Sequence, residues 1–199
     1  MIKKIKTTTF LSFIALSLFS FTTAITSADF TVLAEKSSIK WTGYKPGGEH
    51  KGTVNIKSGS LDIENDIIQS GTVIIDMPTI KVTDSESAKL LNHLRGEDFF
   101  NVKNFPTSTL VITSSKSVSV DTSGKHTLEV TGNMTILGKT ESITFQAINT
   151  AKTDNYMFYN SNITIDRTMF GITYKSSMFG DAMIKDNFEL AVKLRAKKN

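Results

Sequence analysis

This sequence predicts an all-β fold, antiparallel, with eight or more strands and one short helix. Three observations point there. Apolar and polar residues alternate with period two over long stretches rich in Val, Ile, Thr, Phe and Tyr, which puts the apolar groups on one face of a strand. Clusters of Gly, Asp, Asn and Ser punctuate these stretches as turns do. Helical spacing appears in a single segment.

Taken in order, Ile39 to Lys45, Gly52 to Lys57, Ser60 to Glu64 and Gly71 to Met77 read as strands, with a turn at Lys57-Ser58-Gly59. Thr83 and Glu86 then form a capping box ahead of Leu90, Leu91 and Leu94, and Gly96 follows. That pattern predicts a helix over Asp84 to Arg95. Thr107 to Val120 reads as a strand ending at Asp121-Thr122-Ser123-Gly124. Leu128 to Ile136 and Ile143 to Ala147 flank a turn at Gly138-Lys139-Thr140 and form a hairpin. Asn155 to Arg167 and a short piece at Phe170 to Tyr174 precede the clearest strand. There Phe188, Leu190, Val192, Leu194 and Ala196 alternate with mostly charged neighbours.

The chain has 199 residues, three of them Pro, and no low-complexity tract or fixed repeat. One domain is expected. Residues 1–28 read as a cleavable signal peptide: Lys3, Lys4 and Lys6 precede an apolar run from Phe10 to Phe21, then small residues ending in Thr26, Ser27 and Ala28. Cleavage after Ala28 places small residues at the last and third-last leader positions; Ala24 is the competing site. The run is interrupted by Ser12, Ser17 and Ser20, so no stable membrane span is expected after processing. Residues 29–199 form the predicted domain.

Of the 23 Lys and Arg, three lie in the leader, which leaves 20 against 19 Asp and Glu. A mature charge of about +1 gives no reason to expect nucleic acid. No cysteine is present, so neither disulfides nor thiol chemistry are available, and a hydrophobic core must hold the fold. His50, His93 and His126 show no metal-ligand spacing. There is no nucleophile elbow, phosphate loop or dinucleotide fingerprint. The expectation is a protein without catalytic residues, metal or cofactor.

An antiparallel chain of this size hides its edges by closing into a barrel or by packing two sheets, and periodicity alone does not choose. A closed barrel of eight strands can enclose a small ligand; a sandwich would instead suit an exported interaction or adhesion module.

Three stretches together resemble the YceI-type family of polyisoprenoid-binding proteins. They are His93-Leu94-Arg95-Gly96-Glu97-Asp98-Phe99-Phe100 with Phe105-Pro106-Thr107, then Thr131-Gly132-Asn133-Met134-Thr135-Ile136-Leu137-Gly138, then Ile165-Asp166-Arg167-Thr168-Met169-Phe170-Gly171-Ile172. The similarity runs from about Thr31 to the C-terminus. It implies an extended lipocalin-like β-barrel of about eight strands, exported to the periplasm, holding a polyprenyl chain or isoprenoid quinone in an apolar bore, with no metal or catalytic residue.

On that basis the candidate lining comprises Trp41, Phe99, Phe100, Phe105, Met134, Phe145, Phe158, Phe170 and Ile172. His93 and Arg167 are candidates for the lipid head. The competing readings are structural. Phe99, Phe100 and Phe105 could plug a barrel end, Arg167 could pair with Asp166 to fix a turn, and His93 could complement its helix dipole. The run Tyr156, Met157, Phe158, Tyr159 is apolar on both strand faces and asks for a second partner, a homodimer interface or the helix.

Overall fold

The computed structural model describes residues 28–176 and 183–199; the signal peptide expected at the N-terminus lies outside them, apart from Ala28. Among the described residues nine strands form one antiparallel sheet: β1 (Ala28–Val32), β2 (Ser38–Lys45), β3 (Gly48–Glu64), β4 (Ile67–Val82), β5 (Thr107–Val120), β6 (His126–Ile136), β7 (Lys139–Thr153), β8 (Tyr156–Asp166) and β9 (Asn187–Lys198). Each strand from β3 to β9 pairs with its sequence neighbour, and both β1 and β2 lie between β3 and β9. β1 and β2 are thus two halves of one stave, joined by a 3-10 turn at Ala34–Lys36. The result is a closed barrel of eight positions, which leaves no free sheet edge. The two-sheet sandwich does not form.

The inward faces carry the apolar residues. Leu61, Ile63, Val73, Ile75, Leu110, Leu128, Val130, Ile163 and Ile165 are all buried, and they belong to five different strands of one core. Burial at ~25 cal/mol per Å² of apolar surface is the main force closing the sheet.

The long strands are continuous where alternation alone suggested breaks. In β3 the buried residues are Gly52, Val54 and Ile56, then Leu61 and Ile63. The parity changes because the register with β4 shifts between Ile56 and Ser58. Lys57-Ser58-Gly59 is therefore a β-bulge and not a turn: one extra residue resets which side faces in. The turn lies instead at Asn65 and Asp66, both with positive φ (50° and 68°). β4 has its own irregularity at Pro78–Thr79, and inward Met77 gives way to inward Ile80.

The helix α1 spans Ala88–Arg95, four residues shorter at its start than the spacing predicted. Ser87, not Thr83, is the N-cap; its side chain accepts from Leu90 N at 3.3 Å. A capping residue closer to the apolar positions won, as local caps do when both are available. Arg95 anchors the helix on the β4 irregularity, with Nη2 donating to the carbonyls of Pro78 (2.9 Å) and Ile80 (3.0 Å). The Phe170–Tyr174 segment is not a strand. Arg167–Phe170 forms a 3-10 turn closed by Gly171 at φ 84°, and irregular chain follows. The β6–β7 hairpin turns at Leu137 and Gly138 (φ 52° and 72°), one residue earlier than predicted. Positive φ at both positions is the twist-compatible hairpin geometry. β1 escaped prediction because five residues are too few for alternation to register.

Candidate functional site

The barrel interior is not filled by its own side chains. Two apolar chambers lie in series along it, with cavity volumes of about 110 Å³ and 70 Å³. A water occupies about 10–15 Å³ on this scale, so together they accommodate on the order of a dozen water-sized groups. Ile39, Ile75, Met134 and Leu190 border both chambers and form a collar between them.

Small inward residues make this space. Ala147 on β7 and Ser161 on β8 face each other's strand in register and line the inner chamber. Larger side chains at the same level would meet across it. The inward-facing Phe145, Val192 and Leu194 border the inner chamber and remain only half-buried. Val130, also on this wall, is 0 % exposed, as are Leu128 and Ala196. Buried Tyr159 also borders the inner chamber; its hydroxyl donates to the Asp66 carbonyl at 3.3 Å. Desolvation raises the Tyr159 pKa above its ordinary value, with the Asp66 charge adding to it.

The outer chamber lies under α1 and the loop after it, where Leu94, Phe99 and Phe100 form part of the wall. Trp41 lies across Gly52, its cross-strand partner. A Cβ on Gly52 would clash with both the indole and the Lys81 carbonyl. The glycine is what allows the indole to lie flat against the wall.

Arg167 is the polar centre of this end. Its side chain is only 4 % exposed and borders the outer chamber. Nε donates to the Lys185 carbonyl (3.1 Å), Nη1 to the Ile172 carbonyl (2.7 Å), and Nη2 to the Ile184 carbonyl (2.9 Å) and Asp186 Oδ1 (3.2 Å). Desolvation lowers its pKa from the ordinary value, opposed by Asp186 and Asp166, and a guanidinium stays charged under such shifts. The partner expected from sequence, Asp166, does something else: its carboxylate accepts from Thr168 N (2.8 Å) and Thr168 Oγ1 (2.6 Å) and caps the 3-10 turn. The ion pair runs to Asp186, which is 19 residues away and invisible to local pattern.

Of the predicted lining residues, Trp41, Phe99, Phe100, Met134 and Ile172 border the outer chamber, and Phe145 and Met134 the inner one. Three others lie elsewhere. Phe158 is on the outer face of β8, because its inward neighbours Met157 and Tyr159 take the buried parity. The Arg195 guanidinium carbon stands 5.4 Å from the Phe158 ring centroid on that outer face, a cation–π contact. Phe170 is 1 % exposed and packs in the core behind the wall. Phe105 lies against the β6–β7 turn, 3.1 Å from where a Cβ on Gly138 would stand. His93 does not border the cavity either. Its ring meets Phe99 (4.9 Å) and Tyr174 (4.4 Å) edge-on, and Nδ1 lies 3.8 Å from Asp98. It props Phe99, which does border the cavity.

Sequence reasoning missed the collar residues Ile39, Ile75 and Leu190 and the two small residues Ala147 and Ser161. The alternation already marked Leu190 as inward. Nothing in a single strand tells which inward residues border empty space. Among the described residues no group of three or more His, Cys, Asp or Glu gathers in a way that could hold a metal, and no helix is long and apolar enough to cross a membrane.

A model of the YceI-like domain matches residues 30–196, nearly all of the barrel. The chain belongs to the YceI-like family. Among curated relatives, a UPF0312 protein of Azotobacter vinelandii is 30% identical over 96 residues, 48% of this chain and 47% of that protein. A UPF0312 protein of Shewanella denitrificans is 31% identical over the same length, with the same coverage. The chain thus spans about half the length of the curated relatives it matches. Among solved structures, a polyisoprenoid binding domain from Saccharophagus degradans, implicated in plant cell wall breakdown, superimposes with a TM-score of 0.63 at 10% identity, covering 87% of this chain and 100% of that one. Burkholderia cenocepacia BcnA superimposes with a TM-score of 0.58 at 19% identity, covering 82% and 98%. At these identities the two structures show that this barrel fold is shared, and nothing finer.

Proposed function

We propose that this YceI-like protein is a periplasmic carrier that holds a long-chain isoprenoid lipid in its barrel, polyprenyl or quinone-headed, and performs no chemical step on it. The single observation that carries the reading is the apolar bore: two chambers in series inside a closed barrel, bordered by apolar side chains except for Ser108, Ser161, Tyr159, Lys185 and Arg167. Such a space favours a chain of methylene and methyl groups over water. Burying ten carbons stabilises the complex by about 8 kcal/mol before ordering costs. Affinity of that size needs no charged anchor. The family's fold supports the reading, and so does a structural neighbour described as a polyisoprenoid binding domain.

The export pattern in residues 1–28 supports a location outside the cytoplasm, where an insoluble lipid crossing an aqueous compartment needs such a container. The test is organic extraction of protein purified after secretion, followed by mass spectrometry. A polyprenoid recovered in near-stoichiometric amount is the expected result. Protein free of any long-chain lipid, and unable to take one up from micelles, would sink the carrier reading.

A further inference from the structure

Closed all round, the barrel has one seam that is laced along only part of its length. β4 and β5 pair from Asp76 and Thr107 as far as Gly71 and Ile112, and the ladder stops there although both strands run on. β4 continues to Ile67, paired with β3, and β5 continues to Val120, paired with β6. Beyond the last rung Ser115 Oγ reaches across in place of the ladder and donates to the Ile68 carbonyl at 2.6 Å.

The two hairpins part here for a reason. The β3–β4 turn curls over the barrel end, where the Asp66 carboxylate pairs with Lys152 of β7 and the Asp66 carbonyl accepts from Tyr159 of β8. The β5–β6 hairpin leads the other way: no residue from Thr113 to Val120 is buried, and Val118 and Val120 are exposed. The register with β6 shifts between Ile112 and Ser114, and such a bulge bends the strand that carries it. Opposite buried Val130 and Leu128, β5 offers only Ser115 and Ser117, so this strand puts little bulk into the gap. Directly behind it Ile68 and Ile112, one from each strand, border the inner chamber.

We infer that this stretch of the β4–β5 seam, Ile67–Ser70 facing Thr113–Ser117, is a lateral gate through which an isoprenoid tail enters and leaves the inner chamber, with the Ser115–Ile68 bond as its latch. This rests on the carrier reading and adds a route to it. Parting two fully laced strands strips a row of backbone donors and acceptors of their partners, and each one left facing a lipid tail bears its full desolvation cost. At this seam the latch is what opening breaks, and local openings follow the path where the fewest such bonds hold. A tail entering sideways reaches the inner chamber without passing the collar of Ile39, Ile75, Met134 and Leu190. Nor does it have to lift α1, which Arg95 ties to β4.

The native chain has no cysteine, so a pair can be placed across the seam without rivals. Gln69→Cys with Ser114→Cys sets two exposed thiols on opposite sides of the gate. Asn133→Cys with Ser142→Cys does the same across the paired β6–β7 seam. Each pair is closed with a bis-methanethiosulfonate linker, which a reductant removes. Trp41, the only tryptophan, reports uptake of geranylgeraniol from detergent micelles by stopped-flow fluorescence, and its release to phosphatidylcholine vesicles. Closing the gate is expected to slow uptake and release by about tenfold or more with Kd held within about twofold, because a gate sets rates and not equilibria. The reductant should restore both rates, and closing the β6–β7 seam should alter neither. Ser115→Ala cuts the latch without any linker and should speed both rates about fivefold, the worth of one net hydrogen bond. Unchanged rates in the linked gate or in Ser115→Ala, or equal slowing by both linked pairs, overturn the gate and leave the carrier standing. Geranylgeraniol that never binds the wild type overturns the carrier reading itself.

Discussion

Ala147 is the residue through which the idea of an unfilled bore is most exposed to test. It is 4 % exposed, borders the inner chamber, and stands between Leu128 and Ser161 in the ladder. Replacing it with Leu adds three carbons to a space of about 70 Å³. At about 10–15 Å³ per water-sized group that space takes roughly five methylenes. Three added carbons displace about three of these, which removes about 2.4 kcal/mol of gross burial, equivalent to roughly sixtyfold in Kd, less whatever ordering cost the shorter buried tail avoids. Ala147→Leu is therefore expected to lose long-tailed isoprenoids by on the order of tens of fold while keeping short-tailed ones, measured by Trp41 fluorescence against a series of tail lengths. Its thermal stability should hold, because the added carbons enter a void. Insertion into a packed core costs about 1–3 kcal/mol instead. An unchanged preference for tail length, or a loss of stability of that overpacking size, would refute the reasoning.

Phe145→Asp should abolish lipid loading, since it places a carboxylate on the wall of the inner chamber, whereas Phe145→Leu should keep it; equal loading in the two variants, by extraction and mass spectrometry, contradicts the wall assignment. Arg167→Met leaves three carbonyls and Asp186 without their donor. Asp186 is 43 % exposed and rehydrates, so the expected loss is at the low end for a broken buried pair, about 3 kcal/mol, or about 6–12 °C in Tm by calorimetry; a change under about 1 °C removes its structural role. Asp121 accepts from Ser123 N (2.8 Å), Ser123 Oγ (2.7 Å) and Lys125 N (2.9 Å), and these bonds, the Lys125 one first, hold its pKa below the ordinary 3.8. Its contribution to the β5–β6 turn is complete above 3.8 and is lost as pH falls through the depressed value. Amide exchange at Ser123 and Lys125 should quicken only in that acid range, and quickening already at neutral pH counts against the turn.

The sequence by itself determined the class of the protein. Alternation in Phe188 to Ala196 and Leu128 to Ile136 reflects a physical necessity, since a strand with one dry face must repeat every two residues. The helix could be read around Leu90, Leu91 and Leu94 for the same kind of reason at its own period. What local pattern could not carry was everything that depends on two strands meeting. The bulge at Lys57–Gly59 looks like a turn from within β3, because only the partner β4 shows that pairing continues across it. Arg167 seemed bound to Asp166, its neighbour in the chain, yet closure of the fold delivered Asp186 and three carbonyls. Phe145 and Phe158 are equally greasy, and parity relative to the barrel axis decided that one borders the bore while the other lies outside beneath Arg195. The bore itself is a difference between the circumference set by eight paired strands and the volume of the side chains pointing inward. Ala147 and Ser161 leave space only because the tertiary structure sets them side by side at one level.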